Sequence, residues 1–444
     1  MSINKILPRG EKMYHIQNTD KEEKVLIVGV DLDSKTDIDI ESSMTELKEL
    51  VYAAGGVVVG EVVQNRDKID SAFFIGKGKA EEIALACDEL DIDTVVFNNE
   101  LTGAQIRNLE KIINRKIIDR TNLILDIFAR RATSKEGRLQ VELAQLKYML
   151  PRLTGLGEQL SRTGGGIGTR GPGEQKLETD RRHISRRIAD IEKELKELEN
   201  VRKIKRKKRQ ESEIPIVALV GYTNAGKSTL LNTLIRYDEE YTQDKEVFVK
   251  DMLFATLDTT LRKSSLPNGQ SFLITDTVGF VSQLPTKLVE AFKGTLEEIN
   301  YADLLLHVVD MTNKDLNIQI KTTLKILKEL DILDKPIITV FNKADIAQNE
   351  IITDIDGPKI AISAKTGYNI DLLLRMIQDN LPQKFYSVDL LIPYSEGALS
   401  NYLFDNTKVS RFDYRDDGIL IATILDNMDY ERYKRFIVSE NKIN

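Results

Sequence analysis

The segment Gly221-Tyr222-Thr223-Asn224-Ala225-Gly226-Lys227-Ser228 spaces its glycines, lysine and hydroxyl as GxxxxGK[ST]. Glycines at those places let backbone N–H groups turn toward phosphate oxygens. The lysine can then reach β- and γ-phosphates, and the serine hydroxyl can ligate Mg2+. The apolar run IPIVALVG, which opens at Ile214, predicts a strand leading into this loop. Thr229–Ile235 predicts a helix leaving it, whose N-terminus adds partial positive charge. The motif requires that strand–loop–helix context.

Three further elements follow in an informative order. Phe272–Thr275 predicts a strand ending at Asp276-Thr277-Val278-Gly279. A carboxylate there can hold the Mg2+ shell through water, and the Gly279 N–H can sense a γ-phosphate. Between the two motifs lies Phe254-Ala255-Thr256-Leu257-Asp258, followed by Thr259 and Thr260. A threonine in this loop can bind Mg2+ when the γ-phosphate is present, and Thr256 is the favoured one. Asn342-Lys343-Ala344-Asp345 follows a predicted strand, Pro336–Phe341. The Asp345 carboxylate accepts from guanine N1–H and the 2-amino group, with Lys343 lying along the base. Adenine would leave that carboxylate unpaired, a mismatch worth roughly 10⁴-fold in discrimination. Ser363-Ala364-Lys365 follows the predicted strand Lys359–Ile362 and offers a backbone N–H to guanine O6. All four elements stand at the C-terminal ends of strands, where open α/β sheets bind ligands.

Many GTPases carry a glutamine directly after DxxG to orient the attacking water. Here that position is Phe280, whose ring can neither donate to a water nor accept from it. Intrinsic hydrolysis should therefore be slow, with the water positioned by another group or by a partner. No arginine finger is identifiable; Arg262 reads as a solvated surface arginine.

A second set of residues points to nucleic acid. Gly137–Leu153 predicts a helix with Leu139, Leu143, Leu146 and Leu150 on one side, ended or kinked by Pro151. From Ser161 to Gln175 the chain is too rich in glycine to hold regular structure. Thr179–Arg209 predicts a long polar helix with the narrow seam Ile184, Ile188, Ile191, Leu195 and Leu198. Together they suggest an antiparallel hairpin with a glycine tip. Gly166 to Gly171 formally matches GxGxxG. No strand precedes it, and Pro172-Gly173 stands where a helix should begin, so the dinucleotide reading is rejected. Around the glycines Gly164, Gly165 and Gly166 lie Arg152, Arg162, Arg170, Lys176, Arg181, Arg182, Arg186 and Arg187. Arginine suits bidentate phosphate contact and base stacking. Val201–Arg209 adds seven basic residues and no acidic one. A flexible linker and a solvated helix end are the plainer alternatives. The RNA reading requires binding that weakens as salt rises.

The whole chain of 444 residues carries a net charge of −7, which disfavours nucleic-acid binding except by such a local basic projection. A single cysteine, Cys87, excludes an internal disulfide framework. There is no secretory h-region, and no run approaches the ~18 apolar residues that span a bilayer. A cytoplasmic monomer is expected.

Residues 24–129 alternate strands (Lys24–Val30, Gly56–Val63, Thr94–Phe97, Lys116–Ile118) with helices (Ser42–Ala53, Gly78–Leu90, Thr102–Ile113, Arg120–Ala129). That pattern implies a parallel sheet. The end of the chain predicts strands at Val388–Ile392, Val409–Tyr414 and Ile419–Leu425 and helices at Glu396–Leu403 and Tyr430–Val438. The expected organisation is an α/β subdomain (1–136), a helical hairpin (137–211), a P-loop GTPase domain (212–382) and a small α+β domain (383–444).

The strings LQVELAQLKYMLPRLTGL (139–156), GGGIGTRGPGEQKLETDRR (164–182), GYTNAGKSTLLN (221–232), FATLDTT (254–260) and DTVGF (276–280) resemble those of HflX, a family of Obg-HflX-like ribosome-associated GTPases. The resemblance runs from about residue 24 to 380, and the glycine-loop string is its most specific part. It implies GTP-dependent binding to the large ribosomal subunit and splitting of stalled or idle ribosomes. The stretch Gly164–Gly173 would reach toward the peptidyl-transferase centre, and the ribosome would stimulate hydrolysis. The family's proline after FATLD is Thr259 here, which shifts weight onto the choice among the three threonines. The family is also linked to ATP binding in its N-terminal half, for which this chain shows no motif. Two other functions fit parts of the pattern: a checkpoint on large-subunit precursors, and a signalling GTPase whose hairpin mediates coiled-coil pairing.

Overall fold

The computed structural model describes residues 22–32, 39–153, 172–210, 214–236, 253–254, 260–277, 279–282, 299–347, 356–381, 385–407 and 409–441. Two compact units divide the chain: Met1–Ser34 with Met44–Leu123, and Lys35–Ser43 with Ile124–Asn444.

In the first unit, strands β1 (Glu23–Asp31), β2 (Gly56–Asn65), β3 (Thr94–Phe97) and β4 (Lys116–Asp119) form a parallel sheet in the order β2-β1-β3-β4. The central strands are nearly continuous runs of Val, Ile and Leu, as strands covered on both faces must be. Helices α1 (Ile40–Ala53), α2 (Lys77–Glu89) and α3 (Gly103–Ile113) provide the crossovers. Thr102 and Gln105 cap the start of α3 reciprocally, and Asn114 ends it in a left-handed conformation at φ 51°. Val28, Ile83, Phe97 and Leu109 lie in one buried cluster between sheet and helices.

Helix α4 (Arg120–Arg131) leads to α5 (Lys135–Leu153), and α5 pairs with the 39-residue α6 (Pro172–Gln210). Leu139, Leu143 and Ile191 are buried between them, with Leu146, Ile188, Leu195 and Leu198 packed alongside. This is the seam expected from the heptad-like spacing. Glu136 pairs with Arg202, and Glu142 with Arg187, so the helices run antiparallel. Helix α5 runs to Leu153, the expected bound, with Pro151 in its last turn. One local expectation needs correction. Helix α6 starts at Pro172, so residues 172–175 are helical rather than loop. Proline is favoured in the first turn, where its missing N–H has no intrahelical partner to lose.

A six-stranded sheet follows, with β5 (Ile216–Gly221), β6 (Thr260–Ser265), β7 (Ser271–Asp276), β8 (Leu304–Asp310), β9 (Ile337–Asn342) and β10 (Lys359–Ala361) in the order β10-β9-β8-β5-β7-β6. Only β6 is antiparallel. Its sequence TLRKSS has no apolar period, as an exposed edge allows. Helices α7 (Lys227–Ile235), α8 (Leu316–Glu329) and α9 (Ile370–Asn380) cover the sheet. Leu219, Leu231, Leu306, Val340 and Leu374 belong to one buried core.

The last sheet holds β11 (Phe385–Ile392), β12 (Val409–Arg415), β13 (Gly418–Asp426) and β14 (Ile437–Asn441), all antiparallel in the order β12-β13-β11-β14. Helices α10 (Gly397–Asn406) and α11 (Asn427–Tyr433) complete a βαββαβ unit. The helix expected over Tyr430–Val438 stops at Tyr433. From Ile437 the chain becomes a strand because it pairs with β11, some fifty residues away, which no local period reveals. No helix among the described residues is long and apolar enough to cross a membrane.

Candidate nucleotide-binding site

The P-loop joins β5 to α7, as its sequence context requires. Gly226 adopts φ +89°, and a Cβ there would sit 2.2 Å from the Asn342 Nδ2. No L side chain fits, so α7 can begin at Lys227. The Lys227 ammonium donates to the Gly221 carbonyl at 3.1 Å and to the Tyr222 carbonyl at 2.8 Å. Burial pulls its pKa down to about 8, and the Asp276 charge opposes that shift. Ser228 Oγ donates to Asp276 Oδ2 at 2.6 Å. That hydroxyl–carboxylate pair is a hard-oxygen donor set of the kind Mg2+ prefers.

The DxxG turn is stitched to the P-loop. Thr277 Oγ1 donates to the Leu219 carbonyl at 2.6 Å. The Phe280 amide donates to the Gly221 carbonyl at 3.1 Å, and the Thr223 amide donates to the Phe280 carbonyl at 2.7 Å. The Ser282 amide donates to the Tyr222 hydroxyl. A Cβ on Gly279 would lie 2.7 Å from Thr223 Cγ2 and 2.9 Å from Lys227 Nζ, so glycine is required for this approach. Phe280 is only 2 % exposed. Its ring is core, which accounts for a phenyl group at this position.

At the other end, Asn342 ties three loops together. Its Nδ2 donates to the Ala225 carbonyl at 2.9 Å, and its Oδ1 accepts from the Ala364 amide at 3.0 Å. Of the Ser363–Lys365 segment, expected to offer a backbone N–H to guanine O6, the Ala364 N–H is thus engaged by Asn342. The Ala364 carbonyl accepts from Thr233 Oγ1 at 2.7 Å. Lys343 has φ +68°, and its ammonium meets Asp310 Oδ2 at 2.7 Å. The Thr312 amide and hydroxyl hold the other Asp310 oxygen at 2.9 and 2.6 Å. The Ala344 amide donates to the Ile362 carbonyl at 3.0 Å. Asp345 and Lys365 are exposed, while Ser363 is buried and its Oγ accepts from the Thr366 amide at 3.1 Å.

Phe254 is buried, with its ring edge-to-face on Phe128. Ala255, Thr256, Leu257, Asp258 and Val278 lie outside the described residues, as do Arg162, Gly164, Gly165, Gly166 and Arg170. Lys176 lies on α6. Arg181, Arg182 and Arg186 are exposed on α6, with Arg182 paired to Glu178 at 2.8 Å. Two arginines of the basic group serve the hairpin itself. Arg187 grips Glu142 through both carboxylate oxygens at 2.7 and 2.8 Å, and Arg152 stacks over Tyr148. Asp310, Thr233 and the buried His307 carry no motif. An aspartate closing the run LLLHVVD is the only sequence signal that marks Asp310.

Three family models match in succession: "GTP-binding GTPase N-terminal" over 41–129, "GTP-binding GTPase Middle Region" over 131–209, and "50S ribosome-binding GTPase" over 216–343. The chain is 50% identical to GTPase HflX of Caldanaerobacter subterraneus subsp. tengcongensis over 420 residues, 95% of each chain. It is 49% identical to GTPase HflX of Alkalihalophilus pseudofirmus, over 94% of this chain and 98% of that one. With GTPase HflX of Lacrimispora saccharolytica the identity is 44%, over 92% and 97%.

Proposed function

The chain belongs to the HflX family of GTPases and hydrolyses GTP to GDP and phosphate; from that premise we propose that GTP controls its docking on the large ribosomal subunit and its splitting of stalled or idle ribosomes. The observation that supports this most is the hairpin of α5 and α6. It has its own apolar seam and its own ion pairs. The exposed Arg181 and Arg186 are available to an RNA surface, with Arg182 beside them paired to Glu178. The hairpin carries this basic group on a chain of net charge −7, and the match to a 50S ribosome-binding GTPase model agrees with the reading.

In this reading the P-loop residues from Gly221 to Ser228 cradle the phosphates, and Lys227 exchanges its two carbonyl partners for phosphate oxygens. Asp276 to Gly279 and the segment Phe254 to Asp258 respond to the γ-phosphate. Asn342 to Asp345 and Ser363 to Lys365 select guanine. Ser228, joined by Thr256, would hold Mg2+, and the hydroxyl–carboxylate pair of Ser228 and Asp276 suits that ion. When bound, Mg2+ neutralises phosphate charge. The tip residues Arg162, Gly164, Gly165, Gly166, Arg170 and Lys176, with Arg181 and Arg182, would face RNA. The protein acts as a monomer in the cytoplasm, where its ribosomal partner resides.

Moving a population of ribosomes from 1:99 to 99:1 in favour of subunits takes ~5.5 kcal/mol of differential binding, within reach of a multi-point RNA interface. Light scattering tests the reading. Adding the protein with a non-hydrolysable GTP analogue to assembled ribosomes should lower the signal. Unchanged scattering together with co-sedimentation on free large subunits would favour a role in large-subunit assembly instead.

A further inference from the structure

We propose that the hydroxyl of Thr223 orients the attacking water for GTP cleavage, in place of the side chain that Phe280 cannot supply. The inference rests on the nucleotide-site reading above and adds a catalytic residue to it.

Thr223 is 6 % exposed, and its Oγ1 has no hydrogen-bond partner among the described residues. A buried hydroxyl left unpaired loses its hydration without compensation and is destabilising. Such an atom calls for an explanation, and a ligand-facing role is one of the few available. Its location supplies that role. The Thr223 amide is bonded to the Phe280 carbonyl, and the Phe280 amide to Gly221, so Thr223 adjoins the end of the DxxG turn. Gly279, whose N–H is placed to sense a γ-phosphate, approaches both Thr223 Cγ2 and Lys227 Nζ. The Thr223 side chain thus lies beside Gly279 and Lys227, the two groups that the nucleotide-site reading assigns to the γ-phosphate.

The chemistry needs one hydrogen-bond acceptor there. Water oxygen attacks the γ-phosphorus, the bond from phosphorus to the β–γ bridging oxygen breaks, and the water's proton leaves to phosphate, giving GDP and inorganic phosphate. A hydroxyl oxygen that accepts a hydrogen bond from the water, without taking its proton, fixes the water's lone pair in line with that bond, the contribution a glutamine makes elsewhere. Threonine does this without a flexible stem. Cγ2 is the atom that faces Gly279 in this structure; a turn of about 120° about χ1, to another staggered rotamer, would set Oγ1 in that position at the reacting face.

The test compares the full-length wild type with Thr223→Val and Thr223→Ser by single-turnover GTP cleavage, fluorescent-GDP affinity and thermal melting. Valine keeps the shape and deletes the hydroxyl; serine keeps the hydroxyl. Cleavage should fall at least roughly tenfold in Thr223→Val, recover in Thr223→Ser, and leave GDP affinity within about threefold. The Thr223→Val melting temperature should hold or rise, because an unpartnered buried hydroxyl is removed. Wild-type cleavage in Thr223→Val overturns the proposal. So does an equal loss in both variants, or a fall in melting temperature showing that the hydroxyl holds a structural bond. Failure of the wild type itself to bind GDP would instead refute the site reading.

Discussion

The ring of Phe254 meets the ring of Phe128 edge-to-face, with centroids 4.6 Å apart and an interplanar angle of 74°. Phe254 introduces the FATLD segment, and Phe128 belongs to α4, which directly precedes the hairpin. Phe254 also adopts φ +54°, uncommon for a bulky residue. Both rings are buried, so Phe254, the first residue of the segment expected to carry the switch threonine, packs on the helix that leads into the hairpin.

Phe128→Ala should therefore cost about 3–5 kcal/mol of stability, from lost burial and the cavity left behind. It should also release Phe254. Urea unfolding gives the first effect, and protease cutting near residue 254 reports the second. A loss under ~1 kcal/mol would show that the rings do not pack as described.

Restoring the glutamine of other GTPases should not restore intrinsic catalysis. In Phe280→Gln, an amide replaces a buried ring, at a cost of about 1–3 kcal/mol for each unpaired polar group. The side chain starts in core, away from water. Single-turnover GTP cleavage by the variant alone should stay at or below the wild-type rate. A tenfold rise would refute the burial argument.

Acid should destabilise the protein through His307. Burial first, and the neighbouring Lys227 charge second, lower its pKa from 6.5 to about 4. The unfolded chain takes up a proton below about pH 6.5, while the folded chain does not until about pH 4. Stability is therefore lost as pH falls through that window, by up to about 3 kcal/mol, and no further below it. Urea midpoints measured from pH 7 to 4 should diverge between wild type and His307→Leu, the variant losing less. Parallel curves would exclude His307 as the source.

Asp345→Asn should weaken the preference for guanine by roughly 10³-fold or more, since in the proposed reading the carboxylate would accept two donors from that base alone. An asparagine amide can instead donate to the 2-oxygen of xanthine. Displacement of fluorescent GDP by GDP and by XDP measures both changes. Retained GDP affinity would place base selection elsewhere.

The sequence by itself determined the site's parts and their order. GYTNAGKS, DTVGF, NKAD and SAK each sit at a strand end because glycine, charge and apolar period are local properties, readable wherever they occur. The hairpin seam was legible for the same reason: Leu139, Leu143, Ile188 and Ile191 repeat at helical spacing. Tertiary structure alone decided which atoms are left to act. It spends the Ala364 amide on Asn342 and Arg187 on Glu142, and it pairs Lys343 with Asp310. It buries the Phe280 ring, leaves the Thr223 hydroxyl without a partner among the described residues and turns Ile437–Asn441 into a strand beside β11. The paired groups among these lie between 22 and 54 residues apart in the chain. Hydrogen bonding and burial are set by proximity in space, which no local pattern of residues encodes.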